Sequence, residues 1–178
     1  MSEGIGARVL RKEDRRFITG AGKYTDDVRE NNQCYAAFVR SPHAHAKING
    51  IDKSAAEAMS GVEAVLDGHQ LTGDGIGNII CGWMIHSKDG SPMNMGAWSA
   101  LATDYARYVG DAVAVVIADS PANAKSAAEA VDVNYEVLEA VIQADKALEA
   151  GSPQIHPEAS GNLIYDWEIG EKDATETA

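Results

Sequence analysis

The stretch YVGDAVAVVIADSPANAKSAAEAVDVNYE, residues 108 to 136, decides how this chain folds. Ala112 to Ala118 (AVAVVIA) is a continuous run of small and β-branched residues. It is too short to span a bilayer and too branched for a good helix, so it predicts a strand buried on both faces. Asp119-Ser120-Pro121 stops it. Ser120 can cap a helix through its hydroxyl, and Pro121 suits the first helical position because its missing N–H needs no partner there. From Ala122 the chain is alanine-rich. Ala124, Ala127, Ala128 and Val131 recur at helical spacing, while Lys125, Ser126 and Glu129 lie elsewhere on the wheel. A second strand is predicted from Val131 to Tyr135, with Val131, Val133 and Tyr135 on one side and Asp132, Asn134 and Glu136 on the other. This strand–helix–strand unit specifies packing and carries no chemistry.

Upstream of it, residues 67 to 100 hold seven glycines with Pro92, Met84, Met93 and Met95, and no clear period. They predict a long irregular insertion with short strands near Ile79-Ile80 and Trp83-Met84. Insertions of this length are usually functional or packed against something else. Earlier still, Gln33 to Arg40 predicts a strand with Tyr35, Ala37 and Val39 on one face, ended by Ser41-Pro42-His43 because proline cannot donate to a ladder. Ala46 to Ile51 predicts a returning strand. Asp52 or Ser54 caps a short helix to Met59, Gly61 closes it, and Val62 to Leu66 forms another strand. On the far side, a short helix from Ala144 to Leu148 ends at Gly151. The division is an N-terminal arm, residues 1–25, a domain, residues 26–150, and an outgoing linker, residues 151–178. The arm is extended with one short turn, since Gly20-Ala21-Gly22 breaks any helix begun near Arg11. The last residues, 171–178, are polar and expected to be disordered.

A chain of 178 residues is one domain or a domain with extensions. Its aromatic content of 6% leaves a core of Ala, Val and Ile. The net charge of −12 argues against nucleic acid and against an anionic membrane surface. No window reaches transmembrane length, so no membrane insertion is expected. Cys34 and Cys81 lack metal-ligand partners at useful spacing and are most simply thiols in a reducing compartment. No apolar stretch follows Arg15-Arg16, and the expected location is cytoplasmic. Charge is uneven. Residues 1 to 25 carry Arg8, Arg11, Lys12, Arg15, Arg16 and Lys23 against Glu3, Glu13 and Asp14. A basic arm on an acidic body is suited to docking on that body or on a partner.

No catalytic, cofactor-binding or metal-binding residue is assigned. His43-Ala44-His45 could place two imidazoles on one face, but no third ligand stands nearby, and the pair is explained as turn residues after Pro42. His69, His86 and His156 are scattered surface or turn residues. Gly73-Asp74-Gly75-Ile76-Gly77 neither follows a buried strand nor opens a helix, as a dinucleotide fingerprint must. In Gly20-Ala21-Gly22-Lys23-Tyr24, Phe17 stands where a phosphate loop needs its first glycine and Tyr24 where it needs Ser or Thr. Asp26-Asp27 fits turn chemistry. There is no G-x-S-x-G elbow, no HExxH and no cysteine cluster.

Several ordered motifs nevertheless carry a resemblance. Gly6 to Asp14 (GARVLRKED), Phe17-Ile18-Thr19-Gly20, Gly22-Lys23-Tyr24 and Asp26-Asp27 form the first. Arg40 to Ala46 (RSPHAHA) is the second, followed by Asp52, Ser54-Ala55-Ala56 and Gly61-Val62. Tyr108 to Val116 (YVGDAVAVV), Ala127-Ala128 and Val133 to Glu136 (VNYE) are the third. Gly161-Asn162-Leu163, Trp167 and Gly170-Glu171 complete the series. Together they resemble the start of the large subunit of molybdenum hydroxylases, the xanthine dehydrogenase, aldehyde oxidase and carbon monoxide dehydrogenase family.

The resemblance implies an α+β fold, the α/β-hammerhead, with mixed small sheets and two to three short helices behind an extended N-terminal arm. It also implies a larger oxidoreductase subunit. There, molybdopterin-bound molybdenum sits in the part that follows, with a Phe-Gly-Gly-type cofactor loop and a glutamate base near the C-terminus. Neither stretch lies in these residues, so the chain is expected to be the first domain only, a cut piece or a naturally split subunit, inactive alone. The implied partners are the remaining molybdopterin domains, an iron–sulfur subunit with 2Fe-2S clusters, and an FAD subunit. The Met- and Gly-rich insertion is the expected contact with the missing domains, because methionine fills irregular interfaces. Carbon monoxide, an aldehyde and an N-heterocycle all stay open as substrate. Two rivals stand beside this. One is a stand-alone scaffold or binding protein reusing the fold, a monomer with no exposed apolar patch. The other is a small enzyme using His43 or His45 with Asp26 or Asp27.

Overall fold

The computed structural model describes residues 4–177, and these divide into two compact units between Gln33 and Cys34. The first unit holds helix α1 (Asp14–Ile18) and a 3-10 turn, Thr25–Asp27. It is therefore more helical than an extended arm. Asp14 sits in the first turn of α1 with Arg11 bonded to it at 3.2 Å, and Arg15 and Arg16 occupy the last turn, each favourable to the helix dipole. Gly20, at φ 72°, then ends the helix where a glycine was expected to. The Phe17 ring stacks on Tyr24 at 5.4 Å and covers Gly22, where a Cβ would overlap the ring. Asp27 accepts the Tyr24 N–H at 2.9 Å, so the acidic pair serves its turn.

The second unit contains β1 (Tyr35–Arg40), β2 (Ala46–Asp52), α2 (Ser54–Glu57), β3 (Val62–Asp67), α3 (Gly68–Gly73), β4 (Tyr105–Ala106), β5 (Ala112–Ala118), α4 (Pro121–Glu129), β6 (Asp132–Val137), α5 (Ala144–Ala147), a 3-10 turn at Ser160–Asn162 and α6 (Lys172–Thr177). Two three-stranded sheets form, in the orders β1-β5-β3 and β4-β2-β6, and every pair in them is antiparallel. This is the expected α+β hammerhead arrangement of small sheets and short helices.

The pivotal stretch folds as its residues require. β5 pairs on both edges, Phe38↔Val115 on one side and Leu66↔Val115 on the other, and Val113, Ala114, Val116 and Ala118 are fully buried. The Ser120 hydroxyl accepts the Asn123 N–H at 3.2 Å and Pro121 opens α4. Ala124 and Ala127 are buried, and their small size brings the helix close to β5. Ala56, Val65, Val116, Ala127 and Val131 make the core, with Val39, Ile51, Met59 and Val133 packed around it. β6 follows α4 but joins the other sheet, so α4 links two sheets instead of closing a parallel pair.

Three local expectations are corrected. Helix α3 occupies the start of the supposed irregular insertion. The Asp67 carboxylate accepts the Gln70 N–H at 2.9 Å and caps it. No strand forms at Ile79-Ile80 or Trp83-Met84: Ile79 N–H donates to Trp98 O at 2.7 Å without extending into a ladder, and the nearby pairing is an isolated bridge between His86 and Pro92. The tail expected to be disordered carries α6. Lys, Ala and Glu are good helix formers there, and Lys172 and Glu176 stand four residues apart with 3.9 Å between charges.

One ion pair ties α2 to α3. Lys53 Nζ lies 2.8 Å from Asp67 Oδ2, with side chains 21% and 19% exposed. Burial alone would push the Asp67 carboxyl up, but the Lys53 ammonium and the Gln70 N–H outweigh it and hold the pKa below the usual carboxylate value. A pKa depressed by folding contributes stability that is complete above the unfolded value, near ~3.9, and is lost as pH falls through the folded value. Asp67→Asn is therefore expected to lose about 1–2 kcal/mol at neutral pH. The deficit shrinks as pH falls below the unfolded carboxylate value and through the lowered folded value of Asp67, where its carboxyl takes up a proton and no longer differs in charge from asparagine. Denaturant unfolding at neutral and acid pH measures it.

Candidate functional site

The insertion after α3 and the segment after α5 fold against each other. Residues 85 to 93 form a turn in which Ser87 N–H donates to Ser91 O at 2.8 Å and Met93 N–H to Ile85 O at 3.0 Å. Asp89 holds the tip by accepting from Ser91 N–H and Oγ. The later segment runs alongside. Asn94 N–H donates to Ile164 O and Lys88 N–H to Asp166 O, both at 2.7 Å, while Asp166 N–H donates to Ser87 Oγ at 3.1 Å. Asn162 fixes this segment. At φ 59° its amide donates to the carbonyls of Ala147 (3.0 Å) and Pro153 (2.9 Å) and accepts the Ile155 N–H at 2.9 Å. An asparagine tolerates that backbone conformation and supplies donors and an acceptor at once, which accounts for its place in the Gly161-Asn162-Leu163 motif.

Between these segments lies an apolar groove of about 490 Å³, walled by Ile79, Ile80, Met93, Met95, Ile155 and Ile164. A second hollow of about 210 Å³ lies among Trp83, Ile85, Met93, Tyr165 and Trp167. Met93 borders both. The surrounding surface is apolar and wet, with Ile80 88%, Trp83 75% and Ile169 84% exposed. Exposed apolar surface of this kind is characteristic of interaction sites, for protein, ligand or membrane alike.

The polar groups around the groove are already engaged. The His156 ring stacks on Trp98 at 6.2 Å. Burial pushes its pKa below the ordinary histidine value and Arg107 adds to the effect, so the imidazole is neutral at pH 7. Arg107 Nε donates to the Ile155 carbonyl at 3.3 Å. His156 is thus half-buried rather than the surface residue its isolation in the sequence suggested. A pterin phosphate needs unpaired donors or a cation, and a groove offering a neutral imidazole and a committed Asn162 amide does not fit it. Among the described residues no three His, Cys, Asp or Glu side chains converge to hold a metal ion.

The RSPHAHA motif proves to be a corner between β1 and β2 that grips the Tyr108–Asp111 loop. Ser41 is buried; its N–H donates to Asp111 O and its carbonyl accepts the Gly110 N–H, each at 2.8 Å. Arg40 Nη1 donates to Gly110 O at 2.8 Å. His45 is 8% exposed, with Nδ1 2.8 Å from Glu139 O. His43 meets the Tyr135 ring edge-on at 5.1 Å. The two histidines therefore serve different contacts. With Asp27 committed to its turn, His43 and His45 have structural roles that need no small-enzyme explanation. Gly73 to Gly77 end α3 in a turn.

Residues 19–139 match the family model described as aldehyde oxidase and xanthine dehydrogenase, a/b hammerhead domain. The chain is 40% identical over 147 residues to the nicotine 6-hydroxylase large subunit of Paenarthrobacter nicotinovorans, covering 83% of this chain and 17% of that protein. It is 34% identical, over an alignment of 194 residues, to the carbon monoxide dehydrogenase large chain of Afipia carboxidovorans, covering 98% of this chain and 22% of that one. Among solved structures, quinoline 2-oxidoreductase from Pseudomonas putida 86 matches with a TM-score of 0.74 at 37% identity, over 83% of this chain and 18% of that chain. The Cu,Mo carbon monoxide dehydrogenase in its carbon monoxide reduced state also gives 0.74, at 31% identity, over 98% and 22%. The chain spans about a fifth of the length of these relatives.

Proposed function

Because the chain belongs to the aldehyde oxidase and xanthine dehydrogenase a/b-hammerhead family, we propose that it serves as the first domain of a molybdenum hydroxylase large subunit, with a structural and interface-forming role. In this reading residues 26–150 are the hammerhead, residues 1–25 an arm, and residues 151–178 lead toward the molybdopterin-binding part. Molybdopterin-bound molybdenum lies in the remaining large-subunit domains, and 2Fe-2S clusters and FAD lie in partner subunits or domains. The assembly works in the cytoplasm; no helix among the described residues is long and apolar enough to cross a membrane. Residues outside this chain choose among carbon monoxide, an aldehyde and an N-heterocycle.

The observation that carries this reading is the apolar face made by the insertion and the later segment, with two hollows and large side chains left in water. A stand-alone scaffold would be expected to cover such a surface. The test is co-expression of the 178-residue chain with the polypeptide carrying the remaining large-subunit domains and with the two partner subunits. The expected result is one co-purifying assembly that contains molybdenum and turns over, whereas the chain alone holds no molybdenum and has no activity. Failure to associate, or molybdenum retained by the isolated chain, would sink the reading.

A further inference from the structure

The stacked rings of His156 and Trp98, 6.2 Å apart and 22° from parallel, line two spaces at once. One is the apolar groove of about 490 Å³. The other is a polar pocket of about 40 Å³ that the pair shares with Ser99, Arg107, Tyr108 and Asp111. The pair therefore stands where an apolar space meets a charged one. The imidazole is closely seated. Its Nδ1 lies 3.1 Å from where a Cβ on Gly96 would stand, and Glu158 Oε2 lies 3.2 Å from the same point, so ring and carboxylate lean on one buried glycine. Burial lowers the pKa of His156. Arg107, after β4, and His45, at the β1–β2 corner, lower it further, while Glu158 and Asp111 work against them. Tyr108 and Cys81 are the other titratable side chains lining the two spaces, and residues 94–99, which carry Trp98, hold none.

We propose that the His156–Trp98 stack is an acid-opened partition: on taking up a proton the imidazole leaves Trp98 and turns toward Glu158 and solvent, and the apolar groove and the polar pocket become one space. A charged ring is disfavoured in its present seat by burial and by the neighbouring Arg107 guanidinium. The exposed Glu158 carboxylate offers the imidazolium a partner in water. The consequence for docking rests on the function proposed above: an apolar segment seated in the groove at neutral pH loses one wall in acid and is held less tightly.

Replacing Trp83 and Trp167 by phenylalanine leaves Trp98 as the only tryptophan of the 178-residue chain. Its quenching by acrylamide is followed between about pH 8 and about pH 5, across the histidine range, while 13C-labelled histidines report the His156 midpoint by NMR. The midpoint is expected below the ordinary histidine value. Through it the quenching constant rises about twofold, since Trp98 is 49% exposed before the ring departs, and circular dichroism stays unchanged. Glu158→Gln lowers the midpoint, Arg107→Gln raises it, and in His156→Gln the quenching no longer depends on pH. Quenching that stays level or falls while His156 titrates would mean that the Trp98 face holds the cation, and would overturn the partition. So would a pH response that survives His156→Gln, a Glu158→Gln midpoint that rises, or circular dichroism showing that the second unit unfolds instead. A level response beside intact co-assembly at neutral pH removes the partition alone; failed co-assembly removes the proposed function itself.

Discussion

Val116→Asp unfolds the second unit at neutral pH, while Phe38→Asp leaves it folded. Both residues lie in the same sheet, two strands that pair directly. Val116 sits on the central strand with no exposed surface, packed among Ala56, Val65, Ala127 and Val131. An aspartate there has no partner and no water, and it either stays charged in an apolar core or takes up a proton at neutral pH, each at high cost. The expected loss is about 4–5 kcal/mol or more, against the ~5–15 kcal/mol that holds a typical domain together. Phe38 is 49% exposed, and the Arg40 guanidinium lies 5.3 Å from its ring. A carboxylate at that position meets solvent and a cation. Val116→Thr keeps the shape but buries a hydroxyl, and an intermediate loss of about 1–3 kcal/mol is expected. Circular dichroism and denaturant midpoints rank the three. A Val116→Asp protein that melts like the parent would mean the core has been located wrongly.

That core was legible because its signals are local. The branched run of β5, the Ser120 cap, Pro121 at the helix start and the alanine spacing of α4 all lie within a few residues of one another. What the run could not reveal was its partners. β5 and β6 flank one helix yet belong to different sheets, a choice set by β1, β2 and β3, whose residues are distant in the chain. The same limit applies to the motifs. Arg40 to Ala46 and Tyr108 to Val116 entered the family resemblance as two motifs of one ordered series. Their mutual hydrogen bonds, from Ser41 to Asp111 and from Arg40 to Gly110, appear only in three dimensions. The face is the extreme case. Trp98 stacks on His156 and Asn94 bonds to Ile164, so its walls come from segments with no periodic relation to each other. The methionine-rich composition of residues 67–100 pointed to an interface. The later segment from Ile155 to Trp167, which supplies the opposite wall, carried only its Gly161-Asn162-Leu163 and Trp167 motif residues as a clue. Helix α3 was missed for a smaller reason: Asp67 is a good cap, but a glycine-rich stretch follows it and masks the signal.

Gly68 shows how that short helix is tied to the rest. Gly68→Ala is expected to destabilise the protein by about 2 kcal/mol, although alanine is intrinsically the better helix residue by ~1 kcal/mol. Steric contact decides the sign. A Cβ on Gly68 would lie 2.6 Å from the Ala102 carbonyl oxygen and 2.7 Å from that of Leu101. These are backbone atoms and cannot swing aside like the end of a side chain. Nor can the segment retreat, because Leu101 is 2% exposed and Ala102 N–H donates to Ala112 O at 2.7 Å at the start of β5. The close approach therefore joins the beginning of the insertion to its end and to the central strand. Gly73, at the other end of α3, has open space around its Cα. Gly73→Ala should be neutral or stabilising by a few tenths of a kcal/mol, about what propensity allows near a helix end. Denaturant unfolding of the two variants separates propensity from clash. A Gly68→Ala protein as stable as Gly73→Ala would show that the Leu101-Ala102 backbone can yield. The two ends of the insertion would then not be locked together at this point, and the groove that the insertion builds would not owe its shape to that lock.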